Sequence, residues 1–427
     1  MNNLFKLTPF IISIALVSCG GGKSSTQACE IIDKVTHWHS LMQSDYLWND
    51  QLSSLNSATS YINSNQMIQD IIPSIDRYSG VLSTKDFRDF TSGNVESEYG
   101  IQTSNDIANI VLKVSPNSNA AKAGLKRGDK IISTVQVNSE TINLTWESPD
   151  ENISSANITK SSFLQSSVFS RKVVNTNSGK VGYLAFTDGF IEPSLRELDE
   201  AFSYFKLEGG VDELIVDLRL NGGGYAAVAD ALNLYIAGSQ IHGQISQYTQ
   251  HNSNLAKFDH TIRFGEMNDS IGFRYKSSNQ ILNNSANVSR VIILTNGGTA
   301  SASERVINNL RPHIPVIIIG SKTYGKPVGS YGSDNFCEET LLATNFEDFN
   351  SDFQNDYYQG FEPNCAVDYQ LPKGDWGSEY DPEYNEAIFY VENNHCSVNQ
   401  NASSNTAARP NLKQQAVPTK ALYIMQK

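Results

Sequence analysis

The chain has 427 residues, room for two or three domains at about 150 residues each, which excludes a single small binding module. Hydrophobic residues at 39% against charged residues at 18%, with 19 Tyr and 19 Phe, supply packed cores and exclude global disorder. A formal charge of −13 leaves no basic excess to neutralise phosphates, so the chain carries no signature of a nucleic-acid partner or of attraction to anionic lipid.

The first residues read as an export signal. Lys6 supplies the positive end, and Leu7 to Val17 form an apolar run too short to span a bilayer comfortably. The run ends in Leu16-Val17-Ser18-Cys19, which resembles the lipobox of bacterial lipoproteins. That resemblance implies cleavage before Cys19, acylation of its thiol and anchoring in a lipid bilayer. With Gly20 rather than Asp next, it also implies an outer-membrane address facing the periplasm or the cell surface. The alternative is a secreted protein cut near Ser18. Gly20 to Thr26 then forms a tether over residues 19–28.

Four cysteines remain, Cys29, Cys337, Cys365 and Cys396, an even number in an oxidising compartment. Two disulfides are expected, and three connectivities stay open. Any pairing of Cys29 ties the N-terminus to the C-terminal region. No C-x-x-C or H-E-x-x-H occurs, so neither a metal site nor a cofactor is read here.

Residues 29–95 show helical spacing, with Ile31, Ile32, Val35, Trp38, Leu41 and Met42 recurring at three- and four-residue steps. Residues 96–169 change to short β-rich runs such as Ile107 to Val114 and Ile131 to Val137. Within them, Glu98-Tyr99-Gly100-Ile101 and the string from Ser115 through Ala123-Gly124-Leu125-Lys126-Arg127-Gly128-Asp129 to Ile131 resemble a PDZ domain. Such a module offers a sheet edge to a peptide strand and a loop whose amides receive a carboxylate, a role the resemblance gives to Tyr99, Gly100 and Ile101.

Residues 170–396 alternate between strands and helices, the pattern of an α/β core. His242 to Asn287 interrupts it as a polar insertion or edge hairpin. Residues 397–427, rich in Asn, Ser, Ala and Gln with little periodicity until Ala421 to Met425, are expected to be a loose tail without chemistry.

Three strand ends carry chemistry. Val216-Asp217-Leu218-Arg219-Leu220-Asn221-Gly222-Gly223-Gly224 runs from a strand into a triple glycine, whose exposed amides suit an oxyanion better than a phosphate because no P-loop pattern is present. Thr299-Ala300-Ser301-Ala302-Ser303-Glu304 starts a helix, so Ser301 is either a presented nucleophile or an N-cap with Glu304 as a first-turn acid. Thr323-Tyr324-Gly325-Lys326 follows one helix and one strand later, so a β-α-β return brings Lys326 to the same edge. A lysine held among apolar groups loses solvation of its ammonium and can accept a serine proton.

These strings, in this order behind a PDZ-like segment, resemble the carboxyl-terminal processing proteases of the S41 serine peptidases. Asp45-Tyr46-Leu47-Trp48, Asp76-Arg77-Tyr78-Ser79 and Gly360 to Cys365 with Asp381 to Val391 extend the resemblance over most of the chain. It implies a crotonase/ClpP-like β-β-α spiral for the α/β core, polypeptide substrates, Ser301 as nucleophile and Lys326 as general base. Backbone amides of Ala302 and of Gly223 or Gly224 become the oxyanion hole. Many family members place Gln four residues after the lysine; here Ser330 stands there as the group that would orient the base. None of the seven histidines lies in a motif supporting a histidine base. A non-enzymatic reading also stands, in which the same fold serves as a PDZ-bearing adaptor or ligand-binding lipoprotein with a vestigial site.

Overall fold

Side chains alternate across a strand, so a strand covered on both faces must be apolar throughout, and several runs in residues 179–320 have this character. The computed structural model describes residues 29–104, 109–267, 276–332, 335–368, 370–397 and 422–424. The export signal, Cys19 and the tether lie outside the described residues.

The N-terminal region holds helices α1 (Ile31–Asp45) and α2 (Ser64–Ile71), strand β1 (Gly80–Ser83) and helix α3 (Thr84–Ser92). Helix α1 buries Val35, Trp38 and Met42, the three- and four-residue steps of an amphipathic face. The following residues form β2 (Asn94–Glu98), β3 (Ile101–Thr103), β4 (Val111–Val114), α4 (Asn119–Lys122), β5 (Lys130–Gln136), β6 (Thr141–Glu147), β7 (Ile153–Thr159) and β8 (Ser161–Leu164). They pair as β3 with β4, β2 with β8, and a meander β5-β6-β7, around a small core of Val111, Leu125, Leu144 and Ile158.

Next come β9 (Val168–Thr176), β10 (Gly179–Phe186), α5 (Ser194–Leu207), β11 (Glu213–Asp217), β12 (Gly223–Tyr225) and α6 (Ala226–Ala237). The expected insertion is an antiparallel hairpin, β13 (Ile245–His251) and β14 (His260–Arg263), followed by helix α7 (Ser278–Leu282). The chain continues through β15 (Val291–Thr295), α8 (Ala302–Leu310), β16 (Val316–Gly320), β17 (Val328–Gly329), β18 (Asn335–Phe336), β19 (Glu339–Leu342), β20 (Phe346–Asn350), β21 (Cys365–Ala366), α9 (Pro382–Asn393) and β22 (Leu422–Ile424). A six-stranded sheet, ordered β21-β16-β15-β11-β10-β9, is parallel except for β9. Leu184, Phe186, Leu214, Val216 and Ile293 face α5, α6 and α8, whereas Tyr183, Ala185, Ile215, Ile292 and Leu294 face α9. The core is therefore two-sided, helix on sheet on helix.

Distant parts of the chain are tied together. Strand β1 pairs with β19, and the Glu339 carboxylate of β19 accepts hydrogen bonds from Lys34, Trp38 and Ser64 of the N-terminal helices. The disulfides are Cys29–Cys337 and Cys365–Cys396, one of the three connectivities left open by the sequence. One expectation is corrected: the tail is not wholly without structure, because β22 pairs in parallel with β12. Edge strands offer unpaired amides and carbonyls to any extended segment, whatever its composition.

Beneath the glycine turn lies a buried ion cluster. Arg219 donates to Asp217 (Nε to Oδ1, 2.9 Å) and to both oxygens of Asp381 (2.9 and 2.7 Å), and pairs with Glu383 at 2.9 Å. Asp381 also caps α9 by accepting from the Tyr384 amide. Arg127, from the β-rich segment, stacks on Trp376 and donates to the Gly374 carbonyl at 2.8 Å. Burial pushes the Asp381 carboxyl up, but Arg219, with Arg127 and the Tyr384 amide, more than offsets it and holds the group at about 2, below its ordinary 3.8. A depressed carboxyl stabilises the fold above its unfolded pKa, and that contribution is lost as pH falls through the folded value. Chemical-denaturation midpoints should therefore drop between about pH 4 and about pH 2, and Asp381→Asn should flatten that drop. An unchanged acid slope in the variant would refute the assignment.

Candidate active site

Parallel sheets place ligands beyond the carboxyl ends of their strands. Three such ends converge here: β11 leads to the glycine turn, β15 to Ser301 and β16 to Lys326. Ser301 is the N-cap of α8, with φ 61° and ψ −113°, a left-handed conformation rare for a residue bearing a Cβ. Such a conformation costs about 1–3 kcal/mol and persists only where neighbours over-determine it.

The neighbours are identifiable. Asn221, fully buried, accepts from the Ala300 amide (3.0 Å) and the Ser303 hydroxyl (2.9 Å) with its carbonyl, and anchors itself by donating Nδ2 to the Phe186 carbonyl (3.0 Å). Thr299 Oγ1 donates to the Leu218 carbonyl at 2.8 Å. The turn before Ser301 is thus pinned to the turn after β11.

Glu304 makes the decisive link. Its Oε2 accepts the amides of Ser301 (2.9 Å) and Lys326 (2.8 Å), while Oε1 accepts the Gly325 amide and the Thr323 hydroxyl, each at 2.6 Å. One carboxylate oxygen therefore holds the main chains of both sequence-predicted dyad residues. Burial pushes the Glu304 carboxyl above its ordinary value, and the four donors act against that rise. The Ser301 side chain faces the Glu304 amide as a capping box would have it, yet its Oγ is buried without a hydrogen bond. Read alone, the sequence left Ser301 open as a structural cap; it does occupy the N-cap of α8 in a capping box with Glu304, and its hydroxyl makes no close hydrogen bond there.

Lys326 is 3% exposed, and its Nζ lies 5.6 Å from the centre of the Tyr78 ring, within the range of a cation–π contact. Tyr78 donates its hydroxyl to the Gly325 carbonyl (2.6 Å), and Arg77 Nη2 donates to the carbonyls of Tyr324, Gly325 and Tyr358 at 2.8–3.0 Å. The N-terminal region thus clamps the lysine loop. Ser330, buried, follows β17. No histidine is bonded to the Ser301 hydroxyl.

Among the expected oxyanion donors, Ala302 opens α8, where first-turn amides lack an intrahelical acceptor. Gly223 is a correction: its amide donates to Asn221 Oδ1 at 3.1 Å, because the asparagine is drawn under the turn by its bond to Phe186. Gly224 has φ +142°, and a Cβ there would lie 2.3 Å from the Phe190 carbonyl oxygen, so only glycine fits. Away from this centre, Gly100 sits at φ +75° against Ser118, and Tyr99 and Ile101 pack on the small β-rich core.

Sequence reasoning named Ser301, Lys326 and the glycines but missed what holds them: Glu304, Asn221, Arg77 and Tyr78. Each stood inside a quoted string, and only the strings' juxtaposition reveals its work.

Residues 180–367, which contain all three strand ends, match Peptidase family S41. The chain carries an S41 peptidase domain. A carboxy-terminal-processing protease of Bartonella bacilliformis is 27% identical over 298 residues, covering 62% of each chain. A carboxyl-terminal-processing protease of Picosynechococcus is 23% identical over 275 residues, covering 59% of this chain and 60% of its own length. The match therefore spans under two thirds of these relatives. A solved structure from Bacteroides fragilis, assigned to the S41 proteases, covers 83% of this chain and 96% of itself with a TM-score of 0.67 at 22% identity, so the two share a fold.

Within the S41 domain, Glu304→Ala would orphan four buried donors. Each costs about 1–3 kcal/mol, so the unfolding free energy should fall by at least about 3 kcal/mol in urea titrations, with Glu304→Gln intermediate. A variant as stable as the wild type would show that the carboxylate does not hold the two segments.

Proposed function

We propose that this chain is a lipid-anchored serine endopeptidase that cleaves exported polypeptides with a Ser-Lys dyad. The observation that carries the proposal is the clasp: a strained, helix-initiating serine with an unbonded hydroxyl, held by one carboxylate oxygen to the main chain of a buried lysine. In this reading Lys326 takes the Ser301 proton as Oγ attacks the peptide carbonyl. The acyl-enzyme forms, the amine leaves with a proton, and water releases the acyl group. The amides of Ala302 and Gly224 stabilise the developing oxyanion, each worth about 10² to 10³ in turnover. Closing the distance between Oγ and Nζ belongs to substrate binding, since hydrogen bonds of this kind tighten in the Michaelis complex.

The core is read as a crotonase/ClpP-like spiral and residues 96–169 as a PDZ domain that recruits substrates through their C-termini, on the strength of the Gly100 loop and the Gly124-x-x-x-Gly128-Asp129 turn, both glycines having positive φ. Cys19 carries the lipid and fixes the enzyme to the cell envelope.

Ser301→Ala and Lys326→Ala should each lower cleavage of an unfolded protein by about 10³-fold or more. Equal cleavage by both variants and the wild type would remove the peptidase assignment and leave the adaptor reading. Cys19→Ala should release the protein from membranes into soluble fractions; unchanged retention would defeat the anchor.

A further inference from the structure

Strand β22 lies against two elements that adjoin the site. It pairs in parallel with β12, Leu422 opposite Gly223, Tyr423 opposite Gly224 and Ile424 opposite Tyr225. It also lies against β17, the strand that follows Lys326. The tail's main chain therefore runs between the element bearing the glycine pair and the element continuing from the lysine. Strand β12 is bridged to Phe190 through Gly224, and β22 is its partner in a two-stranded sheet.

An edge of this kind binds by main-chain hydrogen bonds, and side chains only refine the choice. At Gly223 and Gly224 there is no side chain on the receiving strand, so a second backbone can approach closely. We infer that the space between β12 and β17 is a binding site for an extended polypeptide running parallel to β12, and that its resident ligand is this chain's own C-terminal segment, Leu422–Ile424. The inference rests on the peptidase reading only for what the tail competes with; docking itself requires no chemistry. A ligand on the same chain acts at an effective concentration that reaches the millimolar range. Any second peptide must displace it, and its apparent affinity is reduced by the fraction of molecules whose site is open.

The test uses the full chain carrying Ser301→Ala, so that nothing is cleaved, with either the native tail or Leu422→Pro, Tyr423→Pro and Ile424→Pro together, which remove every amide of the strand. The probe is a fluorescein-labelled synthetic peptide with the sequence of residues 418–427, followed by anisotropy. The proline variant should bind it at least about 10-fold more tightly than the native-tail chain. Amide hydrogen exchange at Gly224 and at residues 328–329, measured without peptide, should speed up in the variant; the amides of Gly223 and Tyr225 are held by Asn221 and Phe190 whether or not the tail is docked. Equal affinity for the two chains would overturn the inference, as would unchanged exchange at Gly224 and residues 328–329. Because both readouts use a chain without the serine, they judge the docking alone; absence of turnover in the wild type would instead count against the peptidase reading.

Discussion

The structure of the site depends on one buried carboxylate. Glu304 gathers donors from two segments that a helix and a strand separate in sequence, and two of them converge on a single oxygen. Taking a carboxylate out of water is costly, and the four hydrogen bonds are what make its burial tolerable. The consequence is positional. If Glu304 holds its four partners, the Ser301 turn and the Lys326 loop cannot drift apart, and the unfavourable φ at Ser301 is retained by the same bonds.

Further constraints converge on that pair from distant parts of the chain. Asn221 joins the turn after β11 to the turn before Ser301. Arg77 and Tyr78 hold the carbonyls of the lysine loop from the N-terminal region, which β1 and the Cys29–Cys337 disulfide fasten beside β19. The Arg219 cluster joins the end of β11 to α9 and, through Arg127, reaches the β-rich segment. A site assembled from side chains alone would lose geometry with each local fluctuation. One assembled from backbone groups held by buried polar partners is stiffer, because each partner left unpaired is penalised.

Much of this was legible in the residues. The apolar runs around Val216, Ile293 and Ile318 required strands covered on both faces, and the glycines, Ser301 and Lys326 stood at their ends. Less legible were partnerships. Nothing local to Glu304 distinguishes a first-turn acid that favours a helix N-terminus from a clasp between two loops. Nor could Asp381, far along the chain, be matched with Arg219 without the fold. Gly223 illustrates the converse: exposed glycine amides are read correctly as donors, but the acceptor that takes this one is a side chain two residues earlier. The tail misled for a different reason. Its overall composition is polar, but Ala421 to Met425 is a short apolar run, and it is within that run that β22 pairs with β12.

The most direct measurement is covalent labelling of the intact protein with a fluorophosphonate probe, with the modified residue mapped by mass spectrometry and the rate followed in wild type and Lys326→Ala. The account requires one adduct, on Ser301, forming much faster in the wild type than in the variant. A protein labelled at other serines and not at Ser301, or labelled at Ser301 equally fast with and without the lysine, would contradict it.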